Sequence, residues 1–184
     1  MTAVTATLYY PVISLRVVQA IPEVELERRR KQIRNSMSTQ DIDVLILHSM
    51  EEYLRYVSNY LGVTRPEYII LPAEGDMIFI GRNEDSVTEA RTHFGLAEAQ
   101  ALPPNALNST AIDAETVAGL VNKFTPKCVG LVGVSNLPAA FYERLKELLG
   151  SVKVVDATPL VDEVKMVKSR VEMIAIERSA IICD

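Results

Sequence analysis

Few residues in this sequence carry chemistry on their own. Histidine occurs only at His48 and His93, and no His-Glu-x-x-His pattern sets ligands on one helix face, so a metal centre built wholly from these residues is not expected. Cysteine occurs at Cys128, inside an apolar run, and at Cys183. That gives no disulfide framework and reads Cys128 as a buried structural thiol rather than a nucleophile. Gly130-Leu-Val-Gly133 lies between an apolar run and a helical pattern, where a phosphate loop would lie. It lacks the third glycine of a dinucleotide fingerprint and the Gly-Lys-Ser/Thr ending of a nucleotide loop, and reads as a tight strand-to-helix turn. Ser58 and Ser135 have no Gly-x-Ser-x-Gly setting. One segment is richer: between Glu52 and Pro66 the chain places Tyr53, Tyr56 and Tyr60 with Ser58, Asn59, Thr64 and Arg65 around Gly62. Tyr56 and Tyr60 have the spacing of a core-facing helix, while the same rings beside a loop arginine suit recognition of a small anionic or peptidic ligand.

The elements that must position this segment alternate between helix and strand. Ile21-Pro22-Glu23 opens a helix with Leu26, Ile33 and Met37 on one face and acidic residues at its positive end. Arg28-Arg29-Arg30-Lys31, the basic cluster of the chain, is expected on the solvated face of that helix. Asp43-Val-Leu-Ile-Leu-His48 has the composition of a strand covered on both faces. A short helix is expected from Met50 to Tyr60, then a loop to Pro66. Tyr68–Leu71 and Met77–Ile80 flank Pro72-Ala-Glu-Gly-Asp76 as a β-hairpin, which makes the sheet mixed. A helix around Asp85 to His93 follows, and Thr110 with Asp113 resembles a capping box for a helix carrying Val117, Leu120, Val121 and Phe124. Cys128–Val132 and Val152–Val155 read as strands around a helix that begins near Pro138, carries Phe141, Leu145 and Leu148, and ends at Gly150. Val164, Val167, Val171, Ile174 and Ile181 then recur at helical spacing to Asp184 without a stop signal. The expectation is a helix whose apolar stripe packs on a further domain.

At 184 residues with 48% apolar and 23% charged side chains, the chain fills one core. The expected fold is α/β, a three-layer α/β/α domain with a mixed, mostly parallel sheet over residues 22–160. Residues 1–21 are expected to form an arm and 161–184 a junction with the first helix of a further domain. A net charge of -5 gives no electrostatic reason to hold nucleic acid. No apolar run approaches the roughly 18 residues of a membrane helix, and the N-terminus lacks the pattern of a secretion signal. A cytoplasmic protein without nucleic-acid or membrane partners is expected.

The order Ile21-Pro22-x-x-Glu25-x-x-x-Arg29, then Ile42-Asp43-Val-Leu-Ile-Leu, then Tyr56-x-Ser58-Asn59-Tyr60, then Val161-x-x-Val164-Lys165-x-Val167-Lys168-Ser169-x-x-Glu172, resembles the amino-terminal domain of the creatinase, prolidase and aminopeptidase P family. Asn59 stands where glycine is common and Lys165 where arginine usually opens the junction. The resemblance implies a non-catalytic domain ahead of a pita-bread catalytic domain holding two divalent metal ions, with none of their ligands in this span. It also implies a homodimer in which the loop after Tyr60 reaches the neighbouring subunit's active site. Arg65 matches the place where creatinases contact the substrate carboxylate, with Tyr60 and Thr64 shaping the pocket wall. The implied substrate is an Xaa-Pro peptide or a creatine-like small molecule. A scaffold module of an inactive peptidase-like protein, as in a histone chaperone subunit, and a small-molecule lyase or hydrolase on the same architecture are the alternatives.

Overall fold

The computed structural model describes residues 21–48, 57–64, 66–104 and 110–183. The expected arm, the larger part of the helix expected from Met50, and Arg65 lie outside these residues. Six strands form one sheet: β1 (Val44–His48), β2 (Tyr68–Pro72), β3 (Ile78–Gly81), β4 (Ala99–Ala101), β5 (Cys128–Val132) and β6 (Lys153–Asp156), in the order β4-β3-β2-β1-β5-β6. Only β2 runs against its neighbours, pairing antiparallel with β1 and β3, while the β1–β5, β3–β4 and β5–β6 pairs are parallel. The helices are α1 (Glu23–Thr39), α2 (Glu84–His93), α3 (Thr110–Val121), α4 (Ala139–Leu149), α5 (Thr158–Met166) and α6 (Arg170–Cys183). The fold is the three-layer α/β/α arrangement with a mixed, mostly parallel sheet.

Period-two alternation divides the strand side chains between two cores. Leu45, Leu47, Ile69, Leu71 and Phe79 pack with Ile33 and Met37 of α1, Val87 and Ala90 of α2, and Leu160 and Val161 of α5. Val44, Ile46, Tyr68, Ile70, Ile80, Val129 and Leu131 face the other way, onto Ala114, Val117 and Val121 of α3 and Phe141 and Leu145 of α4. Because both faces are covered, β1, β2, β3 and β5 are buried along their whole lengths, as their unbroken apolar runs require. Asp43 joins the central pair, its carboxylate accepting the amides of Lys127 at 2.7 Å and Cys128 at 2.9 Å.

The hairpin, the strands at Cys128 and Lys153, and the helices at Glu84 and Ala139 stand where the sequence places them. Three features differ. The polar β4 carries no apolar run and escapes pattern reading. The helical stripe from Val164 to Ile181 is two helices, broken at Val167, which is extended and three-quarters exposed. Asp113, expected as a capping residue, is fully buried and ion-paired with Arg82 at 3.2 Å, and the residues before Thr110 that a cap would involve lie outside the described residues.

Gly130, one glycine of the rejected phosphate loop, lies inside β5 where two layers meet. A Cβ there would fall 2.6 Å from a methyl of Leu45 and 2.7 Å from Cβ of Ala157. Gly130→Ala should therefore lower unfolding free energy by about 1–3 kcal/mol, the usual cost of overpacking a filled site. Urea denaturation tests this, and an unchanged midpoint contradicts the packing described.

Candidate functional site

On α1 the buried stripe is Glu25, Arg29, Ile33 and Met37, so an acid and a base occupy the first two turns of what should be an apolar face. Arg29 is 4% exposed, which overturns the expectation that the basic cluster is solvated. Its Nε donates to Glu25 Oε1 at 3.0 Å, and its Nη1 donates to the Tyr60 carbonyl at 3.1 Å. The guanidinium also lies over the Tyr60 ring, 4.7 Å from its centroid. Arg28 grips the same carboxylate with Nε at 2.8 Å and Nη2 at 2.7 Å, a two-point contact.

The other side of the cluster comes from the start of α6, 144 residues away. Ser169 and Glu172 form a reciprocal cap: the Ser169 amide donates to Glu172 Oε2 at 2.8 Å, and the Glu172 amide donates to Ser169 Oγ at 3.2 Å. Ser169 Oγ then donates to Glu25 Oε1 at 2.9 Å. Glu172 lies 3.5 Å from Arg28 and 3.7 Å from Arg29. Two carboxylates and two guanidiniums thus balance one another at the junction of α1, the Tyr60 turn and α6. This also explains why the expected single helix breaks at Val167: Ser169 starts a new one. The signal was present as Ser-x-x-Glu.

Tyr60 itself is 6% exposed, its ring turned into the core beneath Arg29 and its hydroxyl without a hydrogen-bond partner. Burial pushes its phenol above the usual range. The turn after it is tight: the amides of Leu61, Gly62 and Val63 donate to the carbonyls of Val57, Asn59 and Ser58 at 3.1 Å each. Gly62 has φ +88, and a Cβ on it would meet a Leu26 methyl at 2.5 Å, so this loop closes onto α1 as only glycine allows. Thr64 is exposed at the end of the turn.

A second polar group lies at the carboxyl end of β1. His48 is buried and stacks near Tyr68, 4.9 Å between centroids, with Phe141 4.8 Å beyond Tyr68. Arg82 joins Glu67 at 3.0 Å to the buried Asp113. His48 Nδ1 has no hydrogen-bond partner. Among the described residues no group of three or more His, Cys, Asp or Glu side chains could hold a metal ion. Nor, among them, is any helix long and apolar enough to cross a membrane. Of the other residues read from sequence, Cys128 is buried and burial pushes its thiol up. The Gly133 amide, in the tight turn after β5, donates to Thr158 Oγ1 at 2.8 Å.

The family model for the Creatinase/Prolidase N-terminal domain matches residues 29–167. The chain belongs to that family. Among solved structures it is similar to an Xaa-Pro dipeptidase from Bacillus anthracis, at 19% identity and TM-score 0.59, covering 80% of this chain and 38% of that one. An Xaa-Pro aminopeptidase from Streptococcus pyogenes gives 14% identity and TM-score 0.57, with 78% of this chain and 99% of that one covered. The N-terminal domain of FACT complex subunit SPT16 from Cicer arietinum gives 13% and 0.57, covering 83% of this chain and 40% of that one. At these identities the likeness is one of fold. This chain therefore spans well under half the length of the dipeptidase. No curated protein sequence matches it significantly. The family match begins at Arg29, within α1, and ends at Val167, between α5 and α6.

Hydrogen bonds from Arg28, with smaller help from Ser169 and Arg29, hold the Glu25 carboxyl down at about 2 against an ordinary 4.5. A depressed carboxyl stabilises the fold above its unfolded value and loses that effect as pH falls through the folded one. Glu25→Gln should cost about 3 kcal/mol at neutral pH. Compared with the unaltered domain, it should also flatten the stability profile between pH 4.5 and 2, read by denaturant titration at several pH values. The His48 base moves in a separate window. Burial lowers its proton affinity below the ordinary 6.5, opposed by Glu67 and Asp113 and aided by Arg82, so the folded state resists protonation and loses stability as pH drops below 6.5. His48→Phe, which keeps a ring beside Tyr68, should remove the slope that sets in as pH falls below 6.5. A slope that persists would assign it to other groups.

Proposed function

We propose that this domain is the non-catalytic amino-terminal part of a dimetal hydrolase of the Xaa-Pro peptidase, prolidase or creatinase type, and that it confines substrate rather than turning it over. The observation that carries this reading is the family match over residues 29–167, ending where α5 gives way to α6. Support also comes from α6, which exposes Met173, Ile174, Ile176 and Ile181 and so offers an apolar surface for a catalytic domain to cover. The described residues do not provide a metal site, and the two divalent ions of this reading belong to that catalytic domain.

In this proposal the loop after Tyr60 reaches the active site of a second subunit in a homodimer. Arg65 would offer two parallel N–H donors to a substrate carboxylate or peptide terminus. Thr64, exposed beside it, would line the approach. Tyr60 would shape the wall from beneath, by fixing the loop's backbone through Arg29. In the metal-loaded full-length enzyme, Arg65→Ala should raise KM by about 10–100-fold, the worth of a charge-assisted contact, with metal content unchanged. Steady-state kinetics across Xaa-Pro dipeptides, longer Xaa-Pro peptides and creatine-like compounds decide it, and unchanged constants on all of them remove Arg65 from the site.

A scaffold role without catalysis is the second reading, favoured by the likeness to the SPT16 N-terminal domain. Absence of hydrolysis by the metal-loaded full-length protein on every such substrate would favour it.

A further inference from the structure

We infer that Arg29 is a positioning residue that couples the Tyr60 turn to the first turn of α6, so that the loop proposed to face substrate and the helix leaving the domain move as one body. The inference deepens the proposed function and rests on it for the loop's role, though not for the coupling itself. Its basis is the bridging geometry. One guanidinium holds the Tyr60 carbonyl at 3.1 Å, covers the Tyr60 ring at 4.7 Å, binds Glu25 at 3.0 Å and lies 3.7 Å from Glu172 on α6. The Glu25 carboxylate it holds is the acceptor for Ser169 Oγ, the residue that caps α6. Between α6 and Tyr60 no direct hydrogen bond is seen among the described residues, so Arg29 and its partner Glu25 are the shared support.

The physical reason is the cost of leaving buried charge unmatched. With the side chains of Arg29 and Glu25 each 5% exposed, swinging α6 away would strip Glu25 of the Ser169 donor and both arginines of Glu172. Shifting the Tyr60 turn would strip Arg29 of its carbonyl acceptor. Each displacement leaves the same cluster undersatisfied, and a shared penalty is what links two sites. Ser169, by contrast, reaches the cluster through Glu25 and, among the described residues, makes no hydrogen bond to the Tyr60 turn.

Amide hydrogen exchange on this chain tests the coupling without a catalytic partner. The reporters are Leu61, Gly62 and Val63 in the turn, Met173 in α6, whose amide donates to the Ser169 carbonyl at 2.9 Å, and the β1 and β5 amides as a fold control. Arg29→Gln should accelerate exchange of the turn and of Met173 together, by about tenfold or more, with the strands unchanged. Ser169→Ala, which takes one donor from Glu25, should accelerate Met173 most and the turn to a smaller degree. Coupling is reciprocal, so Tyr60→Leu, which removes the ring from under the guanidinium, should also accelerate Met173.

If Arg29→Gln unfolds the strands, Arg29→Lys keeps the charge and should accelerate both reporters to a smaller degree. An arginine variant that loosens α6 but leaves the turn protected overturns the inference, as does Tyr60→Leu with Met173 unaffected. Either result leaves the Arg65 proposal standing, and a failed Arg65 experiment leaves the coupling intact.

Discussion

A glutamate and an arginine cannot be buried at a helix junction, as Glu25 and Arg29 are with Arg28 and Glu172 at their edge, unless each charge meets its opposite, because the loss of hydration costs several kcal/mol per ion and only close, hydrogen-bonded pairing offsets it. In this domain that requirement fixes where three distant pieces of chain sit. Glu25 and Arg29 project from α1, Tyr60 offers its carbonyl and ring, and Ser169 and Glu172 arrive from the start of α6. An apolar contact would tolerate sliding; a charge-matched one specifies a register. The cluster therefore does more for geometry than for net stability, and geometry is what the proposed presentation of a loop to another active site requires.

The sheet supplies the platform. Its counter-running strand β2 permits the hairpin with β3 while β1, β5 and β6 stay parallel, and α4, crossing from β5 to β6, and α5, which follows β6, cover opposite faces. Gly130 lets α5 approach β5 closely, and α5 in turn delivers Ser169 to α1. The same platform holds a second charged group, Glu67, Arg82 and Asp113, beside the stacked rings of His48, Tyr68 and Phe141. Donated hydrogen bonds lower the Glu25 carboxyl, while burial lowers the His48 imidazole.

Much of the architecture was legible as pattern. Buried strands announced themselves as unbroken apolar runs at Val44, Tyr68 and Cys128, and the helix at Ala139 by its spacing and its flanking Pro138 and Gly150. β4 was not legible, since Ala99-Gln-Ala101 is a strand only because β3 offers it hydrogen bonds. The residues that carry the family resemblance were visible too, but their work was not. Glu25, Arg29, Tyr60, Ser169 and Glu172 stand in separate motifs, and only the folded chain shows that they form one cluster.

What the sequence determined by itself is therefore the set of elements, their order and the family, because periodicity, capping residues and turn residues act locally and can be read locally. What tertiary structure alone decided is that a run of basic residues on α1 is part buried, that one apolar stripe is split into α5 and α6, and that Asp113 faces Arg82 across the sheet edge. A charged side chain reads as solvated until its partner is known. Here one such partner lies 144 residues away, beyond the reach of any local pattern.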